Sequence, residues 1–353
     1  MRYIIHGAGA VGSLIGAMLA ESGAQVLLIA RDSHAATVNE RGLTLRSLEG
    51  DRRITGIEAV TSPAQISPRT DDIILLTVKT GQTAASVQEL RDVFDEATPI
   101  VCLQNGVRNE EWAARRFLRV YGGMAGVSAT LVEPGVVAQT LDLLIAIGNY
   151  PLGCDETGLA IARDFERAGF KTTTHERIMA VKWSKLVINL NNATLAIIDT
   201  WVQLARVTPA IANFMAAVID EGVHVLETAG IPLEDANNPF RLTTQIAKLR
   251  ELTDDPERTR EAREMPFDLR TYPSTWVDLK QKRGESEASY FNGEIVLLGE
   301  KHGVRTPFNS TLLQTVEEMS AELIEPGRYT LSDLEELVEQ RRMKSYDRQV
   351  DSA

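Results

Sequence analysis

Between Trp183 and Asn192 the chain reads Trp-Ser-Lys-Leu-Val-Ile-Asn-Leu-Asn-Asn, one ammonium and several amides inside an apolar run. On a helix successive residues step by ~100°, so Lys185, Asn189 and Asn192 fall at roughly 0°, 40° and −20° on one stripe. Leu186, Val187, Ile188 and Leu190 cover much of the remaining circumference, as in a helix packed on most sides. Polar groups in such company need partners, because burying an unsatisfied one costs several kcal/mol and an unpaired charge more. A ligand is one such partner. Two other readings stand beside it: a lysine whose stem lies on the core while its head reaches water, and a turn at Asn191-Asn192, since asparagine is a poor helix former.

A second group of chemically capable residues lies in the N-terminal half. Gly7-Ala8-Gly9-Ala10-Val11-Gly12 follows a short apolar strand and opens an apolar helix, the context that gives a GxGxxG pattern its meaning. Gly7 permits the tight turn, Gly9 lets backbone approach a pyrophosphate, and Gly12 allows close helix–strand packing. The free N–H groups of the new helix then cap the diphosphate. Past the second strand the chain offers Ala30-Arg31-Asp32-Ser33. Arg31 suits a 2′-phosphate and favours NADP, with Ser33 adding a hydroxyl, whereas Asp32 offers a carboxylate for the ribose of NAD. Lys79 follows the apolar run Ile73–Val78, and Asn105 follows Ile100–Gln104 in the same way. Both are placed at carboxyl ends of buried strands, where open α/β sheets bind ligands. A solvated loop lysine and a simple Asn105-Gly106 turn are the alternatives.

These residues need elements to hold them. Arg2–His6, Gln25–Ala30, Ile73–Val78 and Ile100–Leu103 read as buried strands alternating with helical patterns, which predicts a parallel, doubly wound sheet. The segment 43–60 reads as an antiparallel excursion turning at Glu49-Gly50-Asp51, and 122–148 as a hairpin turning at Pro134-Gly135. A helix over 156–168 and a strand over 170–174 complete this part. Beyond about residue 176 long helical periodicities take over, notably 208–228 and 286–302, the latter stopped by Gly303. The expected fold is therefore an α/β, Rossmann-type doubly wound sheet over 1–175, followed by an all-α domain over 176–330 and a charged tail over 331–353.

Composition sets outer bounds. A net charge of −12 lacks the basic footprint of a nucleic-acid binder, so an anionic ligand has to be held by local positive groups. Two cysteines make neither a disulfide framework nor a metal set with a histidine. No run of 18 apolar residues is read, which predicts no membrane span and a cytoplasmic protein. A homodimer through the helical second domain is compatible with the sequence, but no exposed apolar stripe marks a face for it.

In order along the chain, the motifs resemble the ketopantoate reductase (2-dehydropantoate 2-reductase) family. The likeness runs through the glycine motif, Thr77-Val78-Lys79, Leu103-Gln104-Asn105-Gly106, Trp183-Ser184-Lys185-Leu186 with Asn189, and Ser274–Leu279. It continues through Ser286–Gly293 to His302–Pro307. The resemblance implies NADPH-dependent reduction of a 2-oxo acid to a 2-hydroxy acid. It implies Lys185 as proton donor and Glu287 as the group that orients substrate or lysine. Asn189 and Ser274 would hold the substrate's hydroxyl or carboxylate end, with Lys79 and Asn105 between cofactor and substrate, and Asn192 joins them as a substrate contact by its place on the Lys185 stripe. The chemistry agrees with the residue types, because hydride arriving at a ketone carbon leaves charge on its oxygen, and a partly buried lysine both stabilises and protonates it.

Several positions depart from the family pattern. Ala193 stands where a second helix asparagine is usual, with Asn192 one place earlier. One extra residue separates Asp278 from Glu287, Arg108 replaces a usual glycine, and 135–140 lacks a histidine-and-glycine pattern. The segment 234–272 is enlarged. The reductase class is therefore a firmer expectation than ketopantoate as substrate. Two other readings remain: a relative acting on a different keto, hydroxy or opine-like acid, and a dinucleotide-sensing protein without catalysis.

Overall fold

The structure is a computed structural model that describes residues 1–47, 50–235 and 242–350. It divides into two compact units, Met1–Trp183 and Ser184–Ala353. The first begins with β1 (Arg2–His6), α1 (Ala10–Glu21), β2 (Gln25–Ile29), α2 (Asp32–Arg41), β3 (Leu43–Ser47), β4 (Gly50–Ile54) and β5 (Glu58–Val60). It continues with β6 (Asp72–Leu76), α3 (Thr83–Arg91), β7 (Ile100–Cys102), α4 (Asn109–Ala114) and β8 (Val120–Glu133). The elements β9 (Val136–Asn149), α5 (Glu156–Arg167) and β10 (Lys171–Thr174) follow.

These strands form one sheet in the order β4-β3-β9-β8-β7-β6-β1-β2-β5, with β10 on β9. From β5 through β2, β1, β6 and β7 to β8 every pairing is parallel. That is the 3-2-1-4-5-6 order of a dinucleotide-binding sheet, and its winding reverses between β1 and β6. Helices cover both faces, which is why the central strands are apolar at consecutive positions. Ile5, Leu28 and Leu75 pack with Leu14, Ile15 and Leu19 of α1 on one face. Ile4, Leu27 and Ile74 pack with Val87, Leu90 and Phe117 on the other. At the amino ends Arg2 clamps Asp72, Nε to Oδ1 at 2.6 Å and Nη2 to Oδ2 at 2.8 Å, which fixes the register of β1 on β6.

The excursion over 43–60 differs from its expectation. β3 and β4 are antiparallel, but β3 joins β9 in parallel, and β5 runs parallel to β2 at the opposite edge of the sheet. Three residues are enough for β5 because Ala30 N donates to Val60 O at 2.9 Å and Asn39 of α2 bonds both ways with Ala59. The turn residue Glu49 lies outside the described residues. The hairpin over 122–148 is present as β8 and β9, turning at Pro134-Gly135.

Helix α6 (Ile178–Asn189) runs across the division between the units. The second unit is helical throughout its described residues, with α7 (Asn191–Ile197), α8 (Val202–Ala205), α9 (Pro209–Thr228) and α10 (Leu242–Arg250). After these come α11 (Pro256–Glu264), α12 (Ser274–Lys280), α13 (Asn292–His302), α14 (Pro307–Ala321) and α15 (Leu331–Val350). By length and composition α9 is long and apolar enough to cross a membrane, although Asp220 and Glu221 interrupt its apolar run. It buries Phe214, Val218, Ile219, Val225 and Leu226 and packs on α7, α10, α13 and α14, as a core helix does. The single helix expected over 286–302 is broken. Ser286 Oγ accepts from Ala288 N at 3.3 Å to cap a 3₁₀ turn, Glu287–Tyr290, and Phe291 separates that turn from α13. Gly303, left-handed at φ 71°, ends α13.

His6, the last residue of β1, is buried, and Nδ1 has no hydrogen-bond partner among the described residues. Burial alone pushes its imidazole down to about 4, against about 6.5 in an unfolded chain. Below about pH 6.5 the unfolded state therefore binds the extra proton, and stability present at neutral pH is lost as the pH falls toward 4. The loss attributable to His6 is about 3 kcal/mol. Urea unfolding at a series of pH values should show that decline, and His6→Asn should flatten it.

Candidate active site

The glycine loop lies where the winding of the sheet reverses. Gly7 has φ 103°, and a Cβ there would stand 2.6 Å from Val78 N. A Cβ on Gly12 would stand 2.5 Å from Gly7 O and 2.6 Å from Thr77 Oγ1. Neither position admits a side chain. Thr77 completes the fit, its hydroxyl donating to Gly7 O at 2.9 Å. Gly9 differs: it is exposed, and a Cβ there would meet only Gly7 O, at 3.9 Å. So the inner side of the loop is closed by protein while the outer side is open above the first turn of α1. That turn has no acidic residue, and its N–H groups lack intrahelical acceptors. The cradle fits a diphosphate, with Ala8, Ala10 and Val11 supplying backbone between the glycines. Arg31 occupies the N-cap position of α2, exposed, with Asp32 at the first helical position.

Lys79 and Asn105 sit where the sequence places them, after β6 and β7. Lys79 is half-buried at the N-cap of a 3₁₀ turn, Thr80–Gln82. Asn105 is half-buried, and Gly106 follows at φ 81°. A hydrogen-bond network joins the two loops. Asn105 O accepts from Thr80 Oγ1 at 3.0 Å and from Asn109 Nδ2 at 2.9 Å. Asn109 Oδ1 accepts from Thr83 Oγ1 at 2.8 Å, and Thr83 Oγ1 accepts from Gln104 Nε2 at 2.9 Å. The loop after β7 is thereby fastened to the loop and helix after β6.

A buried ion pair fastens the same loop from the other side. Lys182 Nζ donates to Cys102 O at 3.4 Å, to Gln104 O at 3.1 Å and to Glu110 Oε1. The two side chains are 2% and 0% exposed. Burial pushes the Glu110 carboxyl up, and the ammonium opposes that shift. All three ammonium protons are used, so Lys182 pins α6 against the carboxyl end of β7. The fully buried lysine of this helix is therefore Lys182, while Lys185 is half-buried. Stripe geometry supplies a signal for it, since residue 182 lies roughly 60° from residue 185. Glu110, 72 residues away, has no such signal.

In the second unit the predicted residues sit on elements that pack together. Asn189 is buried at the end of α6. Leu190 keeps helical angles (φ −52°, ψ −34°) between α6 and α7, and its carbonyl accepts from Asn292 Nδ2 at 3.1 Å. Asn191 is buried and spoken for, donating to Met215 O at 3.1 Å, whereas Asn192 is half-buried. Ala193 is buried. Helix α12 packs on α7, and the 3₁₀ turn beginning at Glu287 packs on α12. Ser274 is the first residue of α12, and its Oγ is buried with no hydrogen-bond partner among the described residues. Glu287 is buried. Behind them Asn292 donates to Asn309 Oδ1 at 2.9 Å, and Glu221 accepts from the N–H groups of Phe308 and Asn309 at 2.9 and 2.7 Å. A polar frame thus holds the starts of α13 and α14.

The family described as ketopantoate reductase PanE/ApbA matches residues 3–151, and its C-terminal family matches 177–320. The chain is similar to the 2-dehydropantoate 2-reductase of Pyrococcus horikoshii, 30% identical over 318 residues, covering 90% of this chain and 97% of that protein. Among solved structures it is similar to a PanE/ApbA family ketopantoate reductase from Ralstonia eutropha, with TM-score 0.75 and 27% identity over 92% of this chain and 99% of that one. A D-mandelate dehydrogenase solved with NADH and anilino(oxo)acetate shares the fold, at TM-score 0.74 and 24% identity over 92% and 99% of the two chains.

The buried pair yields a stability test. Lys182→Met leaves an unpaired carboxylate in the core and should cost about 3–5 kcal/mol in urea unfolding. Lys182→Met with Glu110→Leu should recover most of that loss, because an apolar replacement removes the stranded charge.

Proposed function

The chain belongs to the ketopantoate reductase PanE/ApbA family, and from that premise we propose that it reduces a 2-oxo acid to the 2-hydroxy acid with NADPH, 2-dehydropantoate being the leading substrate. The supporting observation is the glycine cradle at the reversal of a 3-2-1-4-5-6 sheet, with Lys79 and Asn105 at the carboxyl ends of the next two strands. Residues 7–12 hold the diphosphate, Arg31 takes the 2′-phosphate, and Lys79 and Asn105 face both cofactor and substrate. When bound, the nicotinamide supplies the hydride. Lys185 protonates the carbonyl oxygen as it gains charge, and Glu287 orients the lysine or the substrate. Asn189, Asn192 and Ser274 hold the carboxylate and hydroxyl end. With an overall charge of −12, attraction for an anionic acid comes from Lys79 and Lys185 locally.

A second reading keeps the reaction and changes the acid. It is favoured by Ala193, buried and apolar where the family's second helix asparagine is usual. Steady-state NADPH oxidation with 2-dehydropantoate and a panel of other 2-oxo acids separates the two, and turnover of another acid without turnover of 2-dehydropantoate sinks the first.

Lys185→Ala should lower kcat by about 10²–10⁴, the span of a positioned proton transfer, with NADPH binding nearly unchanged in a fluorescence titration. Turnover indifferent to that substitution would mean that the proton comes from elsewhere. Arg31→Ala should weaken NADPH more than NADH, and equal losses would remove Arg31 from the 2′-phosphate.

A further inference from the structure

One imidazole joins three elements of the first unit. Gly135 N donates to His34 Nδ1 at 2.9 Å. A backbone amide can only donate, so Nδ1 carries the lone pair and the proton of the neutral ring sits on Nε2. Nε2 lies 3.0 Å from Ser13 Oγ. The hydroxyl therefore accepts from the ring and gives its own proton to Ala8 O, 3.2 Å away. Each group in the relay donates or accepts in one sense only. Ser13 and His34 are 0% and 3% exposed, and burial holds the imidazole below its ordinary value, in the neutral form the relay requires.

What the relay connects gives it a role. Ala8 belongs to the glycine loop, Ser13 to the first turns of α1, and His34 to the first turn of α2, three residues after Arg31. Gly135 is the turn of the β8–β9 hairpin, seated so closely on α2 that a Cβ there would stand 2.5 Å from Thr37 Cγ2. Asn39 secures the far end of α2 to β5, through bonds of 2.7 and 2.9 Å with Ala59. His34 secures the near end to the loop. Helix α2 is thus pinned at two points, and one of them sets how far Arg31 stands from the diphosphate cradle. Diphosphate and 2′-phosphate belong to one ligand of fixed length, and a guanidinium grips phosphate through a fork with little tolerance.

We propose that Ser13 and His34 are positioning residues that hold Arg31 at the span matching a 2′-phosphorylated dinucleotide, and so set the preference for NADPH over NADH. The inference rests on the assignment of the glycine loop and Arg31 as the dinucleotide site.

The two arms of the imidazole can be cut separately. The amide oxygen of asparagine stands in for Nδ1, and the amide nitrogen of glutamine for Nε2–H. His34→Asn and Ser13→Ala break the arm toward the loop, and His34→Gln keeps it. Dissociation constants for NADPH and NADH would be measured by fluorescence titration at pH 8, with Tm read on each protein. Ser13→Ala and His34→Asn should lose about five-fold or more of the NADPH/NADH ratio, His34→Gln should retain it, and all three should lower Tm. A ratio unchanged in Ser13→Ala and His34→Asn, with only Tm falling, overturns the proposal, as does a ratio lost equally in all three variants. Wild-type protein that binds neither dinucleotide overturns the underlying assignment, an outcome distinct from both.

Discussion

A single ammonium ion, removed from water and satisfied on all sides, ties the start of α6 to the sheet. Lys182 gives its three protons to two carbonyls at the end of β7 and to Glu110. Desolvating two charges is expensive, and their attraction offsets that expense only when the geometry is good. The penalty for misplacement is therefore high, and it falls on either side of the pair. If α6 slides, the ammonium loses its carbonyls. If the loop after β7 moves, those carbonyls lose their donor. The pair makes the start of α6 and the position of Asn105 parts of one problem, in a way that interchangeable apolar contacts would not.

The cradle works by a different kind of constraint, that of excluded volume. Gly7 and Gly12 are required because Val78, Thr77 and the loop's own carbonyl already occupy the space a side chain needs. Thr77 adds a hydrogen bond where the loop crosses β6. Strand β6 thus contributes twice, supporting the glycine loop from beneath and delivering Lys79 one turn further on. Anion attraction in this acidic protein depends on such local placement of amides and cations, since the field of the whole molecule opposes it.

Much of the frame was legible in the residues. A glycine motif between a strand and a helix fixes the start of the sheet, and apolar runs at 73–78 and 100–103 identify its neighbours because both faces of those strands are buried. Other features had no local signal. β5 is three residues long and owes its place to Asn39, twenty residues back. The break at Phe291 follows from a serine cap, since apolar periodicity alone runs through it. The sequence points to Lys185 as a partly buried lysine, as it is, while the full burial of Lys182 depends on Glu110, which is distant in the chain. The relay through His34 joins residues 101 positions apart and leaves no periodic trace. Contacts of that range are decided by topology, and topology is what a single sequence states least directly.

Three of the residues proposed to meet the substrate sit where a helical turn starts. Ser274 is the first residue of α12, Glu287 the first of its 3₁₀ turn, and Lys79 the residue before another. The first N–H groups of a helix have no intrahelical acceptor, so even proline there breaks no interior backbone bond. Gly7 and Gly12 of the glycine loop allow no such exchange, because neighbouring atoms close both positions. Variation is therefore cheaper at these helix starts than at Gly7 and Gly12. On the proposed assignment, a lineage built on this chain can change the acid it reduces while its glycine loop stays fixed.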